Sequence, residues 1–197
     1  MAKRAILIII LALLPLTLIL GCGELGQVDQ GRVIAFDKEK RTVTLIQDKK
    51  AEPGNPDYNT LPPHTYVLPT DPMETGPEPK PGLRMKLDLD KKVITIFDPQ
   101  TQGFKDVPIQ IVEKKTGVGK DDPLVAGKNL PAVDKQTKTV TLYSGRQKLY
   151  VVVSIPEDYL DRPPSTWESG DEVRIYYKEP GKALRFMNIT RTDIFKK

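Results

Sequence analysis

The chain has one cysteine, one histidine and one tryptophan in 197 residues, and each scarcity removes a class of chemistry. A lone cysteine cannot close an intrachain disulfide, so stability must come from burying Val, Ile, Leu, Phe and Tyr side chains, which this length permits. With one imidazole, at His64, a Ser-His-Asp triad has a single candidate base, set in a proline-flanked segment. Helical periodicity is also missing: beyond residue 22, Pro and Gly interrupt the apolar pattern, and windows free of them alternate with period two. A net excess of one charge sign is nearly absent. The formal +4 includes Lys3 and Arg4 and falls to +2 without them, which argues against nucleic acid as a partner.

The one long apolar run lies at the start. Lys3 and Arg4 precede Ala5–Leu14, and the segment closes on Ile19-Leu20-Gly21-Cys22. A basic start, a short apolar core and a small residue before the cut are the parts of a secretory signal peptide. The stretch from Ala5 to Leu20 covers 16 residues and contains Pro15, short of the roughly 20 apolar residues of a spanning helix. The Leu20-Gly21-Cys22 ending resembles the lipobox of bacterial lipoproteins. That resemblance implies cleavage after residue 21, lipidation of Cys22 and anchoring of the remaining 176 residues in a membrane. The same resemblance implies that Gly23, where an Asp would favour inner-membrane retention, directs a Gram-negative lipoprotein to the outer membrane facing the periplasm, whereas in a Gram-positive cell the anchor would lie on the outer face of the plasma membrane. The chain looks like one of the lipoprotein families of unknown function.

The body reads as all-β. Residues 32–45 and 129–142 match at a constant offset of 97: Ala35, Asp37, Lys38, Thr42, Val43, Thr44 and Leu45 recur as Ala132, Asp134, Lys135, Thr139, Val140, Thr141 and Leu142. Each copy predicts a β-hairpin with the Asp at its turn. Leu83, Met85, Leu87 and Leu89 alternate with Arg84, Lys86, Asp88 and Asp90, which predicts a strand with one charged, solvated face. Leu149 to Ile155 and Val173 to Tyr177 alternate likewise. Val93–Phe97, Val107–Ile111, Leu184–Ile189 and Thr192–Phe195 complete the expected strands. Small units of this kind tend to close into barrels, and the turn spacing looks like that of small periplasmic OB-like barrels.

The expected organisation is therefore a signal peptide at 1–21, a tether at 22–30, and a first barrel at 31–114 with a Pro-rich loop at 52–81. A linker at 115–128 and a second barrel at 129–197 follow. Glu52–Pro81 holds nine of the eighteen prolines, so only His64–Leu68 within it reads as a strand.

Motifs for catalysis are thin. Asp88 with Asp90 and Asp121 with Asp122 are paired carboxylates, but the first pair belongs to a solvated face and the second precedes Pro123 in the linker. Thr116-Gly117-Val118-Gly119-Lys120 lacks the Gly and Ser/Thr that a phosphate loop requires. Copper through His64, Met73, Met85, Met187 and Trp167 would need ligands that the sequence scatters. The sequence thus points to a non-catalytic module without a cofactor or bound metal, whose partners are the membrane and an envelope protein or glycan. The alternative is a ligand-binding protein, for glycan or metal, using an aromatic and basic face of the second unit built from Tyr150, Trp167, Tyr176 and Arg174.

Overall fold

A computed structural model describes residues 25–52 and 55–192. Cys22, the signal segment and most of Thr192–Phe195 lie outside these. Twelve strands and three short 3-10 turns make up the described residues, with no α-helix among them. The strands are β1 (Gln27–Asp37), β2 (Thr42–Gln47), β3 (His64–Val67), β4 (Arg84–Asp88), β5 (Val93–Asp98) and β6 (Gly103–Pro108). They continue with β7 (Gln110–Thr116), β8 (Ala132–Asp134), β9 (Thr139–Ser144), β10 (Leu149–Ser154), β11 (Glu172–Tyr177) and β12 (Ala183–Asn188). The expected all-β class is what the protein has.

Five of the hairpins share one turn chemistry. Asp37 Oδ1 accepts from Lys40 N at 2.9 Å, Asp88 Oδ1 from Lys91 N at 2.9 Å, Asp98 Oδ1 from Gln100 N at 3.0 Å and Asp134 Oδ1 from Gln136 N at 2.8 Å. Ser144 Oγ does the same for Gln147 N at 3.3 Å. A short polar side chain that bonds the backbone two or three residues on starts the turn. The last loop residue then enters the left-handed region, at Arg41, Lys92, Gln102, Lys138 and Lys148 (φ between 49° and 56°), to rejoin the ladder. Asp37 and Asp134 occupy the turns expected of them, whereas Asp88 ends its strand as a turn former and is not part of a solvated face.

Backbone N–H donors hold the carboxyls of Asp37, Asp88 and Asp134 below the ordinary aspartate value. A lowered folded-state pKa contributes stability that is complete above the unfolded value and lost as pH falls through the folded one. Urea midpoints should therefore hold steady on acidification to about pH 5 and fall below about pH 4. The Asp37→Asn and Asp134→Asn variants should show a shallower acid limb, and acid limbs identical to the unmodified protein would contradict this origin.

The pairing corrects the expected division of the chain. One five-stranded antiparallel sheet runs in the order β12-β11-β1-β2-β3, so it joins the two ends of the chain. β1 is eleven residues long and pairs along both edges, with Val33 opposite Leu45 of β2 and Gly31 opposite Val173 of β11. The segment 129–197 is thus not a unit of its own. β8–β10 pair with β7 in a four-stranded sheet, β7-β10-β9-β8, beside the three-stranded β4-β5-β6. Ile109, whose N–H bonds Lys92 O, joins β6 to β7, so one run of chain passes from one sheet into the other. The architecture is an outer unit of β1–β3 with β11–β12, into which β4–β10 are inserted.

Barrel closure, too, is incomplete. The edge strand β3 of the outer unit meets the turn just before β12 through one parallel bridge, Val67 to Lys182, and no ladder extends from it. The expected tether is shortened because Gln27 is already in strand, opposite Tyr177. The expected linker is partly core: Val118 and Val125 are buried against Tyr150.

Each unit has its own core. Val33, Val43, Leu45, Val173, Ile175 and Phe186 fill the outer one, and Ile94, Ile96, Val107, Val140, Val151, Val153 and Trp167 the inserted one. A third cluster of Ile34, Ile46, Tyr58, Met85 and Phe97 lies between units. A register shift between Val33 and Ala35 sends adjacent Val33 and Ile34 into different clusters. A second shift, between Arg84 and Lys86, divides β4: Met85 joins the cluster between units, while Leu87 packs on the inserted core.

The two connections between units run together. Leu83 N bonds Ser165 O at 2.9 Å, Arg84 N bonds Glu168 O at 2.9 Å and Asp171 N bonds Lys80 O at 2.8 Å. Gly82 N reaches Val33 O at 3.0 Å. This clasp fixes the angle at which the units meet and leaves a cleft beside it.

Candidate functional site

The cleft encloses about 940 Å3. Its floor is Arg32 on β1, Arg84 and Met85 on β4 and Tyr58 from the Pro-rich segment; its far wall is the β9–β10 hairpin, from Leu142 through Arg146 to Val151. Lys50, Lys86 and Arg146 add positive charge, against Asp57 and Glu172.

Arg32 is held from three sides. Its Nη1 donates to Met85 O at 2.6 Å and Arg84 O at 3.2 Å, and its guanidinium lies 4.2 Å from the Tyr58 ring centroid. Its Nε is buried without a hydrogen-bond partner. Arg84 donates through Nε to Trp167 O at 2.8 Å, its one side-chain hydrogen bond among the described residues. No carboxylate there lies within 4.0 Å of either guanidinium. Glu168 is taken by Lys80 Nζ at 2.6 Å, and Glu172 accepts from Gln30 Nε2. Burial, then repulsion from Arg32, pulls the Arg84 pKa down to about 10 against the opposing pull of Glu168. Burial pushes the Tyr58 phenol up to about 12. Two cations held side by side with no carboxylate in ion-pair contact are unfavourable unless something anionic joins them.

The aromatic and basic face expected from sequence does not assemble. Trp167 is fully buried in the inserted core, edge-on to Tyr159, and Tyr150 is buried beside Val118 and Val125. Arg174 and Tyr176 do share the outer face of β11. Arg174 donates to Gln30 Oε1 at 2.8 Å and borders a smaller pocket of about 390 Å3, while the Tyr176 ring lies over Gly26. Alternation placed Arg174 and Tyr176 correctly and could not tell that the inner partners of Tyr150 and Trp167 were close-packed.

His64 is engaged elsewhere. Its Nδ1 lies 2.6 Å from Asp29 Oδ2, and the same buried carboxylate accepts from Tyr66 OH and, at 2.8 Å, from Gln47 Nε2. These bonds tie β1, β2 and β3 together, and no hydroxyl in a nucleophile's position bonds the ring among the described residues. The sulfur atoms are dispersed: Met73 is exposed, Met85 sits between units and Met187 lies on β12 opposite Arg174. The described residues hold no group of three His, Cys, Asp or Glu placed for a metal ion. Thr116 ends β7 and no helix follows Gly117–Lys120, unlike a phosphate loop.

Arg32, Tyr58 and Arg84 have no sequence signal of their own. Arg84 sits in the pattern of an ordinary charged strand face, and Tyr58 lies among prolines.

Fold and cleft together define a class: an all-β protein of two nested sheet units with a cationic cleft between them. Within it, the chain belongs to the family described as Domain of unknown function (DUF4881), whose profile matches residues 24–197. No curated protein and no solved structure matches the chain.

Proposed function

We propose that this protein is a lipid-anchored, non-enzymatic binding module of the bacterial cell envelope, held through Cys22 at the periplasmic side of the outer membrane, and that the cleft between its units is its ligand site. The observation that carries the binding half is the Arg32–Arg84 pair, which no carboxylate of the described residues contacts as an ion pair, at the floor of a cleft of about 940 Å3. That volume is in the range of ligand-binding clefts. The leader ending at Leu20-Gly21-Cys22 supports the anchoring half.

Both halves are tested together by fractionating cells that carry the unmodified chain, Cys22→Ala, or Ser144→Trp. Cys22→Ala should leave the membrane fraction, and mass spectrometry of the unmodified amino terminus should show acylated Cys22. Ser144→Trp places a large ring on the hairpin wall and should abolish retention of envelope glycan by the purified protein, while Arg174→Ala in the smaller pocket should not. An unacylated amino terminus ends the anchoring half, and retention that responds to Arg174→Ala alone ends the cleft assignment.

A further inference from the structure

The shape of the charge in the cleft narrows the ligand. This step rests on the cleft being the binding site. We infer that Arg84, backed by Arg32, receives an oxyanionic group (carboxylate, phosphate or sulfate) carried on a carbohydrate chain lying along the cleft.

Arg84 is tied down at one end only. Its Nε is committed to Trp167 O, which fixes the plane of the guanidinium, and its two terminal nitrogens make no hydrogen bond among the described residues. A planar fork anchored in this way matches the two oxygens of a carboxylate or phosphate. Arg32 cannot turn away, because Met85 O, Arg84 O and the Tyr58 ring all hold it, so its charge stays beside the fork as a fixed field. Arg146, at the tip of the opposite hairpin, adds a cation at the mouth.

The remainder of the cleft is mixed in character. Asn59, Ser144 and Gln147 bring amide and hydroxyl groups, and Leu87 and Leu149 bring apolar surface. Sugar rings present the same alternation of hydroxyl edge and apolar face. A free inorganic anion would use only the floor.

The only tryptophan reports on the site, since its carbonyl is the partner of Arg84. The full chain in non-ionic detergent would be titrated, by Trp167 fluorescence, with hexagalacturonate, a sulfated heparin hexasaccharide, neutral maltohexaose and inorganic phosphate. At least one acidic hexamer should give a saturable change, with affinity tenfold or more above maltohexaose and weakening with salt. Arg84→Gln should reduce that affinity tenfold or more, Arg84→Lys less. Arg146→Gln, a change at an exposed hairpin tip, should reduce it two- to threefold without altering the circular dichroism. Four outcomes overturn the inference: no saturable response to either acidic hexamer, equal affinity for the neutral one, full affinity in Arg84→Gln, or inorganic phosphate binding as tightly as the hexamers. If maltohexaose binds equally well and Ser144→Trp abolishes it, the oxyanion assignment falls while the cleft remains the ligand site. If an acidic hexamer binds and Ser144→Trp has no effect, the cleft assignment falls with it.

Discussion

Replacing Asp171 by Ala should lower the free energy of unfolding by about 3–5 kcal/mol, the scale for removing one partner of a buried charged hydrogen-bond network. The residue is 6 % exposed and joins four segments. Its Oδ2 accepts from Lys80 N at 2.8 Å, Asn188 Nδ2 at 2.9 Å and Arg191 Nε at 2.7 Å, and its backbone carbonyl accepts from Val33 N at 2.9 Å. Alanine keeps the backbone bonds and removes the shared acceptor of three donors, one of them on the fully buried Asn188. Asp171→Asn keeps an acceptor oxygen and loses the charge, so its cost should fall near half that of alanine. Urea denaturation followed by circular dichroism checks both. A loss under about 1 kcal/mol for Asp171→Ala would mean that water replaces the carboxylate at this junction.

Local patterning made the class and the turns readable. Asp37 and Asp134 announce hairpins because an aspartate side chain can bond its own backbone, a fact independent of the rest of the fold. The repeat built around them marks one hairpin in each unit, β1–β2 in the outer and β8–β9 in the inserted. Where the reading fails is long-range pairing. Nothing in Glu172–Tyr177 says whether its neighbour is β10, nearby in sequence, or β1, 140 to 150 positions away. Both edges of β1 are paired because Asp29, Gly31 and Val33 line the same inner face as Val173 and Ile175, which is a property of two segments jointly. The site was hidden for the same reason. Arg84 alternates like any exposed strand residue, and only the clasp that brings Trp167 and Arg32 to it turns it from a solvated charge into a constrained one. Conversely, Trp167 and Tyr150 have the composition of a binding face and the burial of core residues.

Gly170→Ala should be the most damaging single methyl in the molecule, costing at least about 3 kcal/mol and removing ligand binding with it. A Cβ at Gly170 would lie 1.9 Å from Val33 O and 2.9 Å from Gly82 N, and one at Gly82 would lie 2.5 Å from both Glu168 O and Gly170 N. All of these are backbone atoms, so no rotamer change can relieve the overlap, and the three chains must separate. Separation would break the Gly82 N to Val33 O bond and strain the neighbouring Asp171 and Arg84 contacts, which together set the angle between the units. Gly119→Ala is the matched control, since nothing lies within 4 Å of its added methyl; it should change stability by no more than about 0.5 kcal/mol. The comparison is read from urea midpoints and from Trp167 fluorescence in the presence of the acidic hexamers. Equal midpoints for Gly170→Ala and Gly119→Ala would show that the two connections do not cross in contact, and the constraint on Arg84 would lose its physical cause.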